Sequence, residues 1–363
     1  MRIVIILTLI IGSFCAYSQG ISLNPINPIS VGFNKKTLTS IANKANDSIP
    51  SLGSLLIWRK NGLAYEKYFH SASKQTPFEV KSVTKSISSA LYGILKDKGI
   101  VPKTDTPVIS ILPENNANLS SKNNLWYSDF IETQDSLRKL LTIKHLLTMQ
   151  TGFLWDDNNP LIHRAFQTSS NPVQFMMDIT FEDAPGTTFK YCTGGCQIVS
   201  AIMDKATRHQ LRKYADSLLF NPIGMNIIEW PADPNGVLAG GSALITTPSD
   251  LLKFGILYLN NGICNGKQII SREWIKESTS EIVELNEWDV LPNANGYGYY
   301  WWRRKINNHQ AFVASGYGGQ LICVIPDLEM VVVTTCFVND ENRGRSEIKR
   351  LHNFIDELVN SIR

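Results

Sequence analysis

Apolar residues recur along the first part of the chain with two periods, one typical of strands and one of helices. The apolar runs at residues 55–58 and 63–69 flank Asn61-Gly62, a dipeptide preferred in tight hairpins. A short capped helix is expected before them, at residues 34–48. After them the period becomes helical, with apolar residues at Val83, Ile87, Ala90, Leu91, Ile94 and Leu95 and a stop at Gly99. This part therefore predicts a strand pair followed by an amphipathic helix.

In the middle of the chain the apolar residues keep the helical period. In the last third they return to the pattern typical of strands. Helices are expected at residues 142–149, 172–179, 196–205, 211–219 and from 248 onward, whereas the proline-interrupted stretch 101–140 predicts loops with short helices. Antiparallel strands are expected at 297–302, 309–314, 320–325 and 330–337, followed by an amphipathic helix at 347–362. We therefore predict an α/β (α+β) fold. An antiparallel sheet built from both chain ends is flanked by helices, and a mostly helical lobe is inserted at about residues 101–290.

The N-terminus has the pattern of a secretory signal peptide. Arg2 precedes an apolar run at residues 3–11, and small residues before Gln19 suit cleavage, while the run is short for spanning a bilayer. We expect a signal peptide at 1–18, a lead-in at 19–53 and the folded domain at 54–363, and hence a secreted or periplasmic protein with no stable membrane span after cleavage. A lipid anchor on Cys15 is less favoured, because bulky Phe14 precedes it.

Composition and charge narrow the classes of partner. The chain has 363 residues, of which 43% are hydrophobic and 18% charged, as is typical of a globular protein with a large core. The formal net charge of +3 would become +2 once Arg2 is removed with the signal peptide. So small a charge argues against nucleic acid or an anionic membrane as partner and favours a small molecule or the cell wall.

The cysteines predict no disulfide framework. Five would remain after cleavage, an odd number, and Cys264, Cys323 and Cys336 lie in apolar segments that suit core packing. For Cys192 and Cys196, a redox pair and metal ligation stay open beside packing, although no second Cys or His cluster with metal spacing accompanies them. We expect no metal and no cofactor, since the sequence has neither a phosphate loop nor a dinucleotide fingerprint.

Ser82-Val83-Thr84-Lys85 opens the predicted helix and carries the first candidate chemistry. Residues i and i+3 share a helix face, so Lys85 can place its amine beside the Ser82 hydroxyl, where the free N–H groups of the first turn favour negative charge. Ser-x-x-Lys also begins at Ser71, Ser136 and Ser346, but only Ser82 opens a helix with a strongly apolar face. These features suit a serine nucleophile, and the alternative is a plain helix cap beside a solvated lysine.

Two later stretches add to this constellation. Tyr191 follows Pro185-Gly186 and precedes a helix, so we expect it to project from a loop. Residues 314–320 read Ala-Ser-Gly-Tyr-Gly-Gly-Gln, a glycine-rich strand edge whose backbone can approach a substrate closely. A buried lysine, or a tyrosine beside a cation, can take the proton of a serine hydroxyl, so Lys85 and Tyr191 are both candidate bases. A packed core tyrosine and a simple turn are the alternatives.

Together the three stretches resemble the serine β-lactamase and penicillin-binding-protein-like superfamily. The resemblance is to its class C-like branch of β-lactamases, D,D-peptidases, esterases and aminohexanoate-oligomer hydrolases, of which the phrases at 146–152, 240–244 and 301–302 are also typical. It covers most of the chain from about residue 54. It implies a Ser82 acyl-enzyme with Lys85 and Tyr191 as proton-transfer residues and an oxyanion site between the backbone N–H groups of Ser82 and Tyr317.

Two positions depart from the family pattern and affect the expected substrate. Thr193 stands where the second motif usually ends in Asn, and Ala314 where the third usually begins with Lys or His. In the family that cation helps to hold a substrate carboxylate, so we favour a small ester or amide, or a peptide, without one. Arg303 and Arg304 are alternative cations but are expected to be surface charges. Two further hypotheses are a D,D-carboxypeptidase or β-lactamase acting on cell-wall peptides or β-lactams, and a non-catalytic binding protein on the same fold.

Further residues are expected to line a substrate cleft. They are Trp155, Thr193, Ser315, Gly316, Gly318 and Trp301, with Trp302 beside them. Core packing is the alternative for each tryptophan. None of the six histidines has HExxH or paired spacing, so no catalytic histidine is predicted. No Gly-x-Ser-x-Gly elbow occurs, which argues against an α/β-hydrolase. The oligomeric state is left open.

Overall fold

The strands of the protein form one large antiparallel sheet and two small ones. A computed structural model describes residues 20–112, 125–285, 291–338 and 344–363. Its strands are β1 Leu52–Arg59, β2 Gly62–Tyr68, β3 Phe78–Glu79, β4 Ile227–Glu229, β5 Ile245–Thr246, β6 Ile263–Cys264, β7 Lys267–Gln268, β8 Val283–Glu284, β9 Ala294–Tyr297, β10 Trp302–Ile306, β11 His309–Gly316, β12 Gln320–Ile325 and β13 Met330–Cys336. The large sheet has the order β2-β1-β13-β12-β11-β10-β9-β8, and the small sheets are β3-β5-β4 and β6-β7. Because β1 pairs with β13, the prediction of one antiparallel sheet built from both chain ends is confirmed.

Helices cover the large sheet and fill the middle of the chain. They are α1 Lys35–Ser48, α2 Val83–Asp97, α3 Leu125–Leu140, α4 Ile143–Leu147, α5 Pro160–Gln167, α6 Pro172–Met177, α7 Thr193–Ala206, α8 Leu211–Ala215, α9 Asn221–Ile223, α10 Pro248–Leu259, α11 Arg272–Ser278 and α12 Gly344–Asn360. Every residue of β1, β12 and β13 is buried, which explains why these strands are mostly apolar instead of alternating. A π-helical turn, Asp216–Phe220, joins α8 to α9.

Helix α10 lies within the range predicted for the helical lobe but packs on the large sheet. It contacts β1, β12 and β13. At Gly255 a Cβ would come within 2.6 Å of Val331 and 2.8 Å of Ile322, so only glycine permits this close packing.

The N-terminal elements follow their local sequence signals. Lys60 and Asn61, which join β1 to β2, both have left-handed backbone conformations (φ 47° and 65°), as a tight hairpin with Asn-Gly requires. Asn34 caps α1, since its side chain accepts hydrogen bonds from the backbone N–H groups of Lys36 and Thr37. The predicted hairpin and the first helix are therefore confirmed.

The expectation of loops with short helices at residues 101–140 is wrong in part, because α3 is a continuous helix of 16 residues. Its polar residues do not mark a loop but fasten the helix to neighbouring backbone. Arg138 donates from Nε to the Met177 carbonyl at 3.0 Å, and Gln134 exchanges hydrogen bonds with the backbone of Phe181. Contacts distant in sequence thus decide the structure here.

The predicted strand at 297–302 is also wrong, because the chain bends between β9 and β10. Tyr300 has a left-handed conformation (φ 63°), and β10 begins only at Trp302. Arg304, expected on the surface, points from β10 into the interior and is fully buried. There it donates to His352 Nδ1 at 2.7 Å and to Asp356 at 2.6 Å, both on α12. The arginine therefore ties the C-terminal helix to the sheet.

The chain before α2 is held in place by the first small sheet. β3 pairs with β5, and the Val80 N–H donates to the Leu244 carbonyl at 2.8 Å. Lys81 then takes a left-handed conformation (φ 49°), which turns the chain into α2. The predicted signal peptide and Cys15 lie outside the described residues. Among the described helices, none is long and apolar enough to cross a membrane.

Candidate active site

Ser82 lies at the N-terminus of α2, where the first turn of the helix meets a cleft. It has helical backbone angles (φ −68°, ψ −5°), and its side chain does not cap the helix. The hydroxyl is therefore left to interact with side chains across the cleft. The dipole of the helix favours negative charge at this point.

The Lys85 side chain is buried directly behind the serine, with an exposed fraction of 1%. Its Nζ donates hydrogen bonds to Ser82 Oγ at 2.9 Å, Thr193 Oγ1 at 3.1 Å and the Gly241 carbonyl at 2.7 Å. These acceptors suit an ammonium group with three protons. The spacing of three residues along the helix thus places the amine beside the hydroxyl, as predicted.

Tyr191 reaches the same point from the loop before α7. Its phenol lies near Ser82, and the Lys85 Nζ lies 4.9 Å from the centre of its ring. Trp302 stacks on the outer face of the ring, with centroids 5.6 Å apart and an angle of 18° between planes. The tyrosine ring is therefore held between the lysine and an aromatic wall, in the same cleft as the serine.

The two candidate bases affect each other's protonation. Burial alone would favour a neutral amine at Lys85, but the neighbouring Tyr191, Cys196 and Asp157 together raise its pKa above the ordinary value. Burial raises the pKa of Tyr191, and the Lys85 charge and the Ser82 hydroxyl offset this only in part. At neutral pH the pair therefore rests as an ammonium and a neutral phenol.

The glycine-rich end of β11 packs closely against the chain that leads into Ser82. At Gly316 a Cβ would come within 2.5 Å of the Val80 carbonyl oxygen and 3.2 Å of the Lys81 Cβ. Ser315, Gly316 and Tyr317 all line the cleft next to Ser82, as predicted. The backbone of residues 316 and 317 therefore lies along the edge of the cleft, next to Ser82.

The cleft consists of two chambers that share Ser82, His163, Thr193 and Tyr317. One, of about 570 Å³, is lined mainly by polar and charged side chains, and we call it the polar chamber; it includes Glu79, Lys81, Gln167, Gln197, Asp233 and Ser242. The other, of about 500 Å³, is the aromatic chamber, which includes Trp155, Phe189, Tyr191, Leu291, Trp302 and Ile348. A substrate centred on Ser82 would extend into both.

Asp157 and His163 are cleft residues to which the sequence analysis gave no role. Asp157 accepts hydrogen bonds from Trp155 Nε1 at 3.1 Å and from the Thr193 hydroxyl at 3.2 Å, and His163 Nε2 lies 2.9 Å from its Oδ1. Burial opposes its ionisation, but these hydrogen bonds and the Lys85 charge hold its pKa below the ordinary value. The signal in the sequence is weak: Asp157 lies two residues after Trp155, which the sequence analysis placed in the cleft.

Two predicted cleft positions, Trp301 and Gly318, lie elsewhere. Trp301 is fully buried among Phe254, Tyr258 and Phe312, and its neighbour Trp302 lines the aromatic chamber instead. The bend at Tyr300 explains why Trp302 reaches the cleft, as expected, whereas Trp301 does not. Gly318 has a left-handed conformation (φ 78°) in the turn after β11, where a Cβ would meet Val338. Ala314 is buried in β11 and brings no charge to the cleft.

The remaining cations and thiols have structural partners. Arg303 donates to the Thr279 carbonyl at 2.7 Å, and neither Arg303 nor Arg304 lines the cleft. Cys192 accepts a hydrogen bond from the Gly195 N–H at the start of α7, and burial raises the pKa of Cys196 to about 11. Thiols protected in this way are poorly reactive. Within the described ranges, no group of His, Cys, Asp and Glu side chains has the arrangement of a metal site.

A mixed α/β fold with serine, lysine and tyrosine side chains meeting at a cleft beside the sheet defines the class of protein. The model of the Beta-lactamase family matches residues 43–355, and the chain belongs to this family. It is 22% identical over 317 residues to an uncharacterized protein of Alkalihalophilus pseudofirmus, covering 77% of this chain and 82% of that protein.

Solved structures of hydrolases share the fold. A proposed 6-aminohexanoate-dimer hydrolase from Bacillus anthracis superposes with a TM-score of 0.69 at 18% identity, covering 95% of this chain and 90% of that one. The D-amino acid amidase from Ochrobactrum anthropi SV3 superposes with a TM-score of 0.67 at 13% identity, covering 90% of this chain and 98% of that one. At such identities the likeness shows the common fold.

Proposed function

We propose that the protein is a serine hydrolase that cleaves an ester or amide through an acyl-enzyme on Ser82. The observation that carries this proposal is the hydrogen bond of Lys85 Nζ with Ser82 Oγ, 2.9 Å long, in a cleft that Tyr191 also lines. A serine hydroxyl becomes nucleophilic when a neighbouring base takes its proton. The hydrolase neighbours of the fold support the reaction class.

The proposed reaction begins when the Lys85–Tyr191 pair has lost one proton, which leaves a phenolate at Tyr191 beside the Lys85 ammonium. The phenolate takes the Ser82 proton while Oγ attacks the carbonyl carbon of the substrate. The resulting oxyanion lies between the backbone N–H groups of Ser82 and Tyr317. Tyr191 then gives the proton to the leaving oxygen or nitrogen, and the bond from that atom to the acyl carbon breaks.

Deacylation repeats these steps with water in place of the serine. Tyr191 takes a proton from water, the hydroxide attacks the acyl carbon, and the bond to Ser82 Oγ breaks as the serine regains its proton. Lys85 stays charged throughout and stabilises whichever oxygen carries negative charge. The lysine thus acts by electrostatics and orientation, and the tyrosine moves the proton.

The cleft favours substrates without a carboxylate. The position that supplies a cation in the family is the buried Ala314. Of the lysines that line the cleft, Lys81 is paired with Glu79 at 2.6 Å, and Lys190 is paired with Glu182. We propose that the apolar part of a neutral ester or amide binds in the aromatic chamber, where Trp155 and Trp302 provide the walls.

The test compares the wild type with Ser82→Ala on p-nitrophenyl esters, short amides and nitrocefin. Ser71→Ala is the matched control, because Ser71 begins another Ser-x-x-Lys sequence but is exposed in a loop. We expect ester turnover and one fluorophosphonate adduct by intact-mass spectrometry for the wild type and Ser71→Ala. Ser82→Ala should form no adduct and lose a factor of about 10³ or more in rate.

The outcomes separate the alternatives. Preference for nitrocefin or D-alanyl peptides over neutral esters would make the protein a β-lactamase or D,D-carboxypeptidase. Ligand binding without turnover or adduct would make it a binding protein. Unchanged turnover by Ser82→Ala would refute the proposal in every form.

A further inference from the structure

Asp157 is a carboxylate without a role in the reaction as proposed, although it lies next to the machinery. It comes from the loop between α4 and α5, and its side chain is only 18% exposed. Besides Trp155 and His163, its donors are the backbone N–H of Thr193 at 3.2 Å and the Thr193 hydroxyl at 3.2 Å. The carboxylate therefore sits at the N-terminus of α7, where negative charge is favoured.

Thr193 links this carboxylate to Lys85, and the direction of its hydrogen bonds is determined by its partners. A carboxylate only accepts and an ammonium only donates, whereas a hydroxyl has one proton to donate and lone pairs to accept. The Thr193 hydroxyl must therefore donate to Asp157 and accept from Lys85, at 3.2 and 3.1 Å. The result is a polarised chain from Asp157 through Thr193 and Lys85 to Ser82.

We propose that Asp157 is a positioning residue that orients Lys85 through Thr193 and sets the pH at which Ser82 becomes active. The inference rests on the proposed function, because it concerns the proton that Tyr191 must take from Ser82. It assigns to Thr193 the connection between the two charges. It also gives Asp157, which no motif marks, a defined effect on the reaction.

The charges around the pair determine the sign of this effect. Lys85 is faced by Tyr191, Cys196 and Asp157, and Asp157 in turn by His163 and Lys85. The thiols of Cys192 and Cys196 and the phenol of Tyr297 also lie near Asp157. Burial has the largest effect on both groups: it lowers the pKa of Lys85 and raises the pKa of Tyr191. The Asp157 charge raises both pKa values, so it makes loss of a proton harder for each group. Removing the charge makes the activating deprotonation easier.

Asp157→Asn is therefore expected to move the acidic limb of the kcat/KM profile for a neutral ester to lower pH, by about one unit. It should also lower kcat about tenfold, because the lysine is less well oriented. A carboxylate that only stabilised the loop would lower kcat or stability without moving the limb. An unmoved limb, or one displaced to higher pH, would overturn the inference.

Asp156→Asn is the matched control. Asp156 is the neighbouring carboxylate, but it is exposed and its Oδ1 accepts from the backbone of Asn158. This variant should leave the limb where it is. If Asp157→Asn does not fold, as judged by circular dichroism, Asp157→Ser removes the charge with a smaller side chain and should give the same displacement.

The rate of fluorophosphonate labelling at Ser82, measured across the same pH range, separates the two proposals. If labelling depends on Ser82 and its rate has the same acidic limb in the wild type and in Asp157→Asn, the role of Asp157 is refuted and the proposed function is not. Absence of Ser82-dependent labelling and turnover in the wild type would refute the proposed function, and this inference with it.

Discussion

The Lys85 ammonium donates a hydrogen bond of 2.7 Å to the Gly241 carbonyl. A carbonyl oxygen only accepts, so this contact holds a proton on the lysine nitrogen at the side away from the cleft. The same nitrogen donates to Ser82 and Thr193, which leaves Tyr191 as the group best placed to receive the serine proton. These hydrogen bonds are the reason why we assign proton transfer to Tyr191 and charge stabilisation to Lys85.

The first prediction concerns pH. The pKa values of Lys85 and Tyr191 are both raised, so the pair loses its first proton only on the alkaline side. Since the deprotonated pair is the active form, kcat/KM for a neutral p-nitrophenyl ester should rise as pH increases above neutrality, after correction for spontaneous hydrolysis. Tyr191→Phe should lose this rise together with a factor of about 10²–10⁴ in rate. A profile that is flat from pH 6 to 10 in the wild type would contradict the assignment.

The second prediction concerns the threonine at the end of the second motif. Thr193→Val keeps the shape of the side chain but removes the hydroxyl between Lys85 and Asp157, so kcat should fall about 10²-fold as the lysine loses its orientation. Thr193→Ser keeps the hydroxyl and serves as the control. Thr193→Asn provides an amide that can both accept and donate, and it should retain more activity than Thr193→Val. Equal rates for the valine and serine variants would show that the hydroxyl has no part in the reaction.

The third prediction concerns the contact between β11 and the turn before α2. In Gly316→Ala the new methyl group would meet the Val80 carbonyl at 2.5 Å, so the strand must move away from Ser82. We expect kcat for the ester to fall about 10²-fold and the free energy of unfolding to fall by about 1–3 kcal/mol. Gly195→Ala is the control, because its Cβ would have no neighbour closer than 3.5 Å. Activity of Gly316→Ala equal to that of the control would show that the approach of the two backbones is not needed.

The fourth prediction concerns stability away from the cleft. Arg304 is fully buried and its hydrogen bonds with His352 and Asp356 join β10 to α12. Arg304→Gln should lower the free energy of unfolding by about 3 kcal/mol, near the lower limit for a broken buried ion pair because the Asp356 side chain is 25% exposed. Urea unfolding followed by tryptophan fluorescence measures the change, with Arg350→Gln on the exposed face of α12 as the control. Equal midpoints for the two variants would contradict the prediction.

Much of the fold was visible in the sequence because its signals are local. The apolar runs of the strands, the Asn61-Gly62 turn and the apolar face of α2 predict elements that the structure contains. The i, i+3 spacing predicted the meeting of Ser82 and Lys85, since one helix carries both residues. Where a contact depends on distant backbone, as in α3, or on a single bend, as at Tyr300, the pattern gave the wrong element.

Other features of the site could not be predicted because they are assembled from separate loops. Asp157 has no motif, and only the folded chain brings it to the hydroxyl of Thr193. The burial of Trp301 beside a cleft-lining Trp302 could not be predicted either, because adjacent residues of an extended chain face opposite sides and one bend decides which side meets the cleft. Arg304 shows that a charged residue type does not by itself tell whether the side chain is exposed or buried.

The order of strands in the large sheet has a consequence for how the protein is made. β1 and β2 leave the ribosome early, yet the neighbour of β1 on its other edge is β13, which is synthesised almost last. Until then an apolar strand has an open edge to which other chains can add, so the nascent protein needs shielding while translation continues. The cleft around Ser82, which residues 315–317 help to line, is therefore complete only after nearly the whole polypeptide has emerged.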